Sequence, residues 1–460
     1  LFYTKSLGLD PKWAGFAMSL SVFWEAVTEP VMGHISDNTR SRWGRRHPYM
    51  LSGGLLMAAC SYLIWAVPDL FRGSQMSIFW YLVTMNLLLR TGLTMFFIPY
   101  LALGFEMCTD YQDRSRIQGM RWVFNMIANF AGPAMAWTFF FKDQGGVQAT
   151  TVEENYHHMG ATFAIATAVF VVLVCLFTSR WGKDTRHEPD RSEHGWFKAF
   201  FIEMKQILAD PNPRWVFVFI FIVCAGMVIV SSLQMFVYDD FMHFTAGRFI
   251  LPGGGELSHT SVAHGSTMIG MALGALVCTR LTAVFDKKGA VLFGGALSIF
   301  CNLMLAAIFL TGWIKPGAVW SVGGMELPLA LMVFVLFHAT YWLGNGIMLP
   351  VSTAMMADVS EIRKLRTGEV RDGGYSAVFS LAMRLAISLS LVVSGWSLAG
   401  IGYQVPAPAD GQEPDAVWRL GLVTFVVGSL ICLASLVAIR FYPIGRGDIE
   451  KLRREVGSAG

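Results

Sequence analysis

WEAVTEPVMGHISDNTRSRWGRRHPY, residues 24–49, passes from an apolar helix that carries two acids into a basic loop. Glu25 and Glu29 are four residues apart, so helical spacing places both carboxylates on one face. The apolar run before Glu25 puts it at hydrocarbon depth, where a carboxylate costs roughly 2.5 to 3.5 kcal/mol. The sequence therefore predicts that the pair faces water, a cation or a proton. The alternative is that both acids snorkel from a helix end.

Composition indicates a polytopic membrane protein. Of 460 residues, 54% are hydrophobic and 15% are charged, and the mean hydropathy is +0.50. A net charge of +3 gives no reason to expect a nucleic-acid partner. The seven cysteines fall mostly within apolar runs, without the spacing of a metal site or a disulfide framework. No nucleophile, metal cluster or phosphate loop is recognisable at usable spacing, so we expect neither an enzyme nor a cofactor other than a coupling ion.

Eleven apolar stretches are long enough to span a bilayer. They are residues 14–35, 49–67, 78–105, 118–141, 160–178, 215–238, 261–285, 290–313, 327–357, 375–400 and 418–441. Residues 180–214 are too charged to span and predict a linker with an interfacial helix near residues 196–208. The predicted organisation is an N-terminal bundle (1–179), a cytoplasmic linker (180–214), a C-terminal bundle (215–441) and a cytoplasmic tail (442–460).

Charge asymmetry predicts the orientation. Arginine and lysine crowd the loops at residues 36–47, 110–116, 286–288 and 363–371, together with the linker and the tail. The positive-inside rule makes all of these segments cytoplasmic. Eleven crossings before a cytoplasmic tail would leave the first residue outside. We therefore expect one further helix ahead of the numbered chain, giving six spans in each half.

The loop at residues 33–46 resembles the loop between helices two and three of the major facilitator superfamily. Together with residues 24–30, it resembles the cation-coupled glycoside, pentoside and hexuronide symporters that include the melibiose permeases. Those proteins show Trp-Asp-x-x-x-Asp-Pro here, and the two acids bind the coupling cation. The resemblance implies an all-α fold of two six-helix bundles, with Glu25 and Glu29 as the cation-coupling pair and a possible sodium site. Glutamate replaces aspartate at both places, so proton and sodium both stay open.

Three arginines within predicted spans are further candidates, because charge at such depth is rarely idle. Arg121 is the closest match to the arginine that lies in the family's sugar site. Arg384 resembles the lysine of melibiose permeases near the cation site, and we expect it to be the counter-charge to Glu25 or Glu29. Arg90 has no evident partner in the sequence.

The helix with Pro99 departs from the resemblance. Melibiose permeases carry an acid two residues before this proline, where the present chain has Phe97. The loss of that acid argues against a galactoside and against sodium, and it favours a proton as the coupling ion.

Aromatic, amide and charged side chains within the spans are the candidates for solute binding, because sugar sites combine flat aromatic faces with polar groups for the hydroxyls. The predicted substrate-binding residues are Arg121, Trp122, Asn125, Gln234, Tyr341, Trp342 and Asn345; Tyr238 and His338 are further possible lining residues. Ordinary helix packing and the interfacial aromatic belt are the alternative for each.

An internal repeat points to a gate. Pro99 lies seven residues before Glu106, and Pro350 lies eight before Asp358, with arginines following in both cases. We expect ion pairs at the inner helix ends, formed by Asp37, Arg45, Arg46, Glu106, Asp110, Arg114, Asp358 and Arg363. The alternative is that these residues are only topology signals.

The expected function is cation-coupled symport of a sugar or glycoside by alternating access, by a monomer in a bacterial inner membrane. One alternative is a sodium-coupled lysolipid carrier, or a carrier of another small solute, of the same extended family. An alternative of another class is a membrane sensor that no longer transports.

Overall fold

Long α-helices form most of the structure, a computed structural model. It describes residues 2–39, 41–106, 124–125, 127–129, 131–141, 149–180, 205, 211–250, 256–322, 325–367, 372–405, 408 and 411–442. The α-helices with defined bounds are α1 (Pro11–Asn38), α2 (His47–Leu63), α3 (Gln75–Glu106), α4 (Glu153–Thr178), α5 (Pro211–Phe236), α6 (His259–Leu310), α7 (Leu329–Thr367), α8 (Asp372–Gly400), α9 (Pro414–Leu422) and α10 (Gly428–Arg440).

Within the described ranges, seven helices are long and apolar enough to cross a membrane. In hydrocarbon each backbone N–H and C=O must be satisfied inside the chain, which is why apolar spans fold as helices. The 52-residue α6 contains non-helical backbone at Asp286 (φ 61°, ψ 170°), so it consists of two helical segments. This break falls between the predicted spans 261–285 and 290–313.

Several irregular elements were not predicted. Five-residue π-helices lie at Phe2–Ser6, Ala136–Phe140, Val237–Phe241 and Val423–Val427, and a 3₁₀ turn lies at Asp69–Phe71. Two antiparallel hairpins are built from three-residue strands. β1 (Arg248–Ile250) pairs with β2 (Glu256–Ser258), with Phe249 opposite Leu257; β3 (Trp320–Val322) pairs with β4 (Met325–Leu327), with Ser321 opposite Glu326. These elements are too short to leave a periodic signal in the sequence.

The chain divides into two compact units. Unit 1 comprises Leu1–Arg191 and Leu391–Gln412, and unit 2 comprises Ser192–Ser390 and Glu413–Gly460. One boundary falls within the predicted linker, residues 180–214. The other cuts through α8 and therefore differs from the predicted single bundle of residues 215–441.

Glycines explain why the end of α8 belongs to unit 1. A Cβ at Gly15 on α1 would lie 3.2 Å from Gly395 Cα and would clash with the carbonyl of Leu391. A larger residue at either glycine would force the two helices apart. Small residues allow this backbone contact, as is usual for helix crossings in membranes.

Small residues also govern the packing inside each unit. In unit 1, a Cβ at Gly92 on α3 would lie 2.8 Å from Gly53 O on α2. In unit 2, a Cβ at Gly294 on α6 would lie 2.8 Å from Gly344 O on α7. These close crossings hold α3 and α7, the helices that carry most of the buried polar side chains described next, against their neighbours.

Candidate cation and solute sites

The charged centre of unit 1 is an ion pair between α1 and α3. Arg90 Nη1 donates to Glu25 Oε2 at 2.8 Å. The Glu25 residue is only 8% exposed. A charge buried at this depth is tolerated because its partner supplies the compensating charge and a charge-assisted hydrogen bond. The pair therefore places a carboxylate and a guanidinium in direct contact between α1 and α3.

Hydroxyl and indole groups on the two helices flank the pair. Trp24 Nε1 donates to Thr91 Oγ1 at 2.9 Å, one residue from the pair on each helix. Thr28 Oγ1 and Thr94 Oγ1 lie 3.4 Å apart, about one turn further along. The step from Glu25 to Thr28 along α1 matches the step from Arg90 to Thr94 along α3, so the two helices run parallel here.

Arg90 is a counter-charge that the sequence did not assign to Glu25. The predicted partner of Glu25 or Glu29 is Arg384. Arg384 lies on the part of α8 that belongs to unit 2, and its role stays a prediction. Glu29 is half-buried, one turn after Glu25 on α1.

Depth matching could have identified Arg90. Glu25 lies 14 residues after the first residue of α1, and Arg90 lies 15 residues after the first residue of α3. Parallel helices that start at the same membrane surface bring residues of equal depth together, at 1.5 Å of rise per residue.

The oxygen atoms around the pair suit a hard cation, because such ions prefer oxygen ligands. Glu25 supplies a carboxylate, and Thr28 and Thr94 supply adjacent hydroxyls. Among the described residues, no group of three His, Cys, Asp or Glu side chains could hold a metal ion. The donor set here is therefore one of mixed carboxylate and hydroxyl oxygens.

Unit 2 buries a polar cluster centred on His338 of α7. Tyr238 OH, Thr267 Oγ1 and Trp342 Nε1 each lie 3.1 Å from His338 Nε2. An indole N–H can only donate, so His338 Nε2 accepts, and the proton of the imidazole is on Nδ1. This assignment makes the imidazole neutral.

Gln234 lies one turn before Tyr238 and is 3% exposed. Its Nε2 is 3.4 Å from His264 Nδ1 on α6, whereas its Oε1 accepts no hydrogen bond within the described part of the chain. An unmade hydrogen bond on a buried amide costs about 1 to 3 kcal/mol. The amide oxygen thus remains available to a hydroxyl or N–H donor.

The other candidates on α7 are engaged in packing within unit 2. Asn345 Nδ2 donates to Tyr341 O at 3.0 Å and to Ser298 Oγ at 3.4 Å. Tyr341 and Trp342 form a small buried cluster with Val230 and neighbouring apolar side chains. These contacts pack α7 within unit 2, and a role of the three residues in solute binding stays a prediction.

The predicted solute residues of unit 1 are described only in part. Arg121 and Trp122 lie outside the described residues. Asn125 is exposed, and Asn129 Nδ2 donates to its Oδ1 at 2.9 Å. The structure therefore brings Gln234 together with the His338 cluster inside unit 2, and it describes Asn125 in unit 1 separately.

Asp358, one of the predicted gating residues, forms an ion pair in unit 2, and its gating role stays a prediction. Lys287 Nζ, just after the break in α6, donates to Asp358 Oδ1 at 2.6 Å and to Oδ2 at 2.5 Å. It also donates to Ala354 O on α7 at 3.2 Å. Lys287 was noticed in the sequence only as a topology signal. Arg363 is half-buried on α7, beyond Asp358.

In unit 1, Arg46 Nη1 donates to Ser36 Oγ at 2.7 Å and ties the basic loop to the end of α1. Arg45 is half-buried in the same loop. Asp110 and Arg114, like the side chains of Asp37 and Glu106, lie outside the described part of the structure. The gate of unit 1 stays a prediction.

Seven helices long and apolar enough to cross a bilayer indicate a polytopic membrane protein, and an ion pair is buried between α1 and α3. The chain belongs to the MFS/sugar transport protein family, whose profile matches residues 1–446.

Relatives and solved structures agree with this assignment. The chain is 22% identical to the putative glycoside/cation symporter YagG of Escherichia coli (strain K12), over 99% of this chain and 89% of that one. It is 23% identical to the human sodium-dependent lysophosphatidylcholine symporter 1, over 100% of this chain and 83% of that one. The crystal structure of the nucleoside transporter NupG superposes with a TM-score of 0.56 at 13% identity, over 95% of this chain and 92% of that one. That likeness shows the fold alone.

Proposed function

We propose that this protein is a cation-coupled symporter that moves a small hydroxyl-bearing solute, a sugar or glycoside, across a bacterial inner membrane by alternating access. The observation that carries the proposal is the buried Glu25–Arg90 pair. A pair that only stabilised the fold could be replaced by apolar residues at little cost, so its position inside a span favours a role in moving charge.

Coupling arises because Arg90 and the coupling ion compete for the Glu25 carboxylate. A cation that binds at Glu25, or a proton that neutralises it, weakens the hold of Arg90 and so changes the charge balance between α1 and α3. In the empty carrier Glu25 is occupied by Arg90, and in the loaded carrier it is occupied by the coupling ion. Solute and cation travel together if the carrier changes conformation only in these two states. Glu29 extends the acidic face by one turn and is the second coupling residue. Arg384 remains a candidate counter-charge.

The solute class is supported by the YagG relative and by the neutral cluster of unit 2. Gln234 Oε1 offers an unused acceptor next to the His264 imidazole. Amide and imidazole groups suit hydroxyls, which both donate and accept. The lysophosphatidylcholine symporter, a relative of comparable identity, supports the second candidate, a lysolipid.

A proton is favoured over sodium as the coupling ion. The acid expected two residues before Pro99 is Phe97, which is 39% exposed on α3. A compact sodium cage needs several oxygens, and this replacement removes one. Either ion suffices energetically, since one charge moved through 100 mV yields about 2.3 kcal/mol, roughly a fiftyfold solute gradient.

The test is solute uptake into vesicles that contain the full chain, with sodium and proton gradients imposed separately. The panel comprises sugars, glycosides and lysophosphatidylcholine. Glu25→Gln and Glu29→Gln should abolish cation-driven accumulation, while solute counterflow survives. Glu154→Gln, the same change at an exposed acid at the start of α4, is the matched control.

Each part of this experiment has an outcome that would contradict one element of the proposal. Wild-type accumulation by Glu25→Gln would refute the coupling role of the pair. Uptake that requires sodium and moves no protons at any pH would make sodium the ion. Accumulation of lysophosphatidylcholine without any sugar would replace the sugar by the second candidate.

A further inference from the structure

An apolar cavity of about 330 Å³ opens between α2 and α4 in unit 1, next to the basic loop. Its walls are Leu51 of α2 together with Val172, Cys175 and Leu176 of α4. The volume lies at the lower end of the range that bound small molecules occupy. The cavity is separate from the Glu25–Arg90 pair, which lies between α1 and α3.

A polar contact joins α2 and α4 at one end of the cavity. His47 Nε2, at the start of α2, lies 3.0 Å from Thr178 Oγ1 at the end of α4. This contact joins the two helices where the basic loop begins. The cavity is thus bounded on one side by the spans and at one end by the loop.

A positive charge marks the mouth. Arg42 is exposed and stacks on Trp43, with its guanidinium carbon 5.9 Å from the ring centroid. Among the described residues, no carboxylate lies within ion-pair distance of Arg42. Trp43 is 52% exposed, and tryptophan is characteristic of the level of the lipid headgroups. The cavity therefore combines an apolar interior with a cationic, amphipathic rim.

We propose that this cavity binds one acyl chain of an anionic glycerophospholipid from the surrounding leaflet, with the lipid phosphate at Arg42. Water gains no hydrogen bonds from walls of leucine, valine and thiol groups, whereas an acyl chain fills them favourably. Basic pockets beside spanning helices bind anionic headgroups for the same electrostatic reason. Because α4, which supplies three of the four apolar wall residues, is long and apolar enough to cross a bilayer, a bilayer lipid is the occupant that meets both conditions.

The direct test is native mass spectrometry of the delipidated full-length chain, titrated with phosphatidylglycerol or phosphatidylcholine. The wild type should retain one phosphatidylglycerol in preference to phosphatidylcholine. Arg42→Gln should weaken phosphatidylglycerol about fivefold and leave phosphatidylcholine unchanged, since one arginine near a membrane surface is lost. Lys315→Gln, which removes an exposed lysine after α6, is the matched control and should behave as the wild type.

A second variant probes the apolar walls. Leu176→Trp fills the cavity and should weaken both lipids. Equal retention of phosphatidylglycerol by the wild type, Arg42→Gln and Leu176→Trp would overturn the proposal. Binding of free glycerol 3-phosphate with the same affinity would show an anion site without an acyl chain, which also overturns it.

Thiol labelling gives a readout that does not depend on a folded Leu176 variant. Cys175 is half-buried, whereas the other described cysteines are buried. Phosphatidylglycerol should slow the reaction of Cys175 with a lipid-soluble maleimide in the wild type, and Cys175→Ser should remove that protected signal. A labelling rate that ignores phosphatidylglycerol contradicts the proposal.

Discussion

Unit 1 buries a carboxylate against a guanidinium, whereas unit 2 buries a cluster of neutral groups around His338. In unit 1 the buried contact is between full charges, at 2.8 Å. In unit 2 the contacts are hydroxyl, indole and imidazole hydrogen bonds at 3.1 Å. Charged groups interact with an ion, whereas neutral donors and acceptors form hydrogen bonds with a hydroxyl-bearing molecule. This difference fits the proposed function, in which unit 1 couples the cation and unit 2 recognises the solute.

The largest effect is expected from removing one charge of the buried pair. Arg90→Met should lower the free energy of unfolding by about 3 kcal/mol, because it removes a counter-charge 2.8 Å from the buried Glu25 carboxylate. Unfolding in detergent micelles measures it. The double variant Arg90→Met with Glu25→Gln should recover most of the stability without recovering coupled transport. A double variant as unstable as Arg90→Met would mean that packing, and not charge, is lost.

A smaller loss is expected in the neutral cluster. His338→Phe should lower the free energy of unfolding by about 2 kcal/mol, because the buried Trp342 Nε1–H loses its acceptor and the Tyr238 and Thr267 hydroxyls lose a polar contact. His338→Gln retains an acceptor and should lose less. Solute KM should rise in His338→Phe while the cation requirement stays unchanged. Loss of the cation requirement in this variant would break the division between the units.

The ion pair after the break in α6 should affect rate more than stability. Lys287→Met leaves Asp358 without this partner, and since their side chains are 30% and 14% exposed, the cost should be about 1 kcal/mol or less. If the pair braces one transport conformation, the maximal rate should change at nearly constant solute KM. Exchanging the charges, with Lys287→Asp and Asp358→Lys, should restore the rate in part. A changed KM at a normal rate would place the pair in the solute site instead.

The smallest effect is expected for a second, more exposed ion pair in unit 1. Arg72 Nη1 lies 2.8 Å from Glu153 Oε2, the same distance as in the Glu25–Arg90 pair, but the carboxylate side chain is 33% exposed instead of 10%. Arg72→Gln should cost about 0.5 kcal/mol, and high salt should abolish that difference. Equal costs for Arg72→Gln and Arg90→Gln would show that burial does not distinguish the two pairs.

The sequence predicted the helical class and the candidate carboxylates better than their partners. Apolar runs are long and locally encoded, so the described helices coincide with predicted spans. Partners depend on which helices touch and at what depth, and hydropathy does not carry that information. Glu25 was therefore identified while Arg90 was not assigned to it.

The packing of the end of α8 on α1 was also not predicted from the sequence. Gly15 and Gly395 allow the end of α8 to pack on α1, which hydropathy could not reveal. The π-helices and the two short hairpins also escaped, because five-residue and three-residue elements are shorter than any usable period. Tertiary context decides them.

The three contacts between α1 and α3 also determine how these helices can move. Trp24, Glu25 and Thr28 of α1 contact Thr91, Arg90 and Thr94 of α3 within about one helical turn. A slip of one residue along either helix would place the Glu25 carboxylate opposite a hydroxyl and leave the guanidinium without its anion. Such a slip would separate two buried charges, which is costly. While the ion pair is intact, the two helices therefore keep a single register.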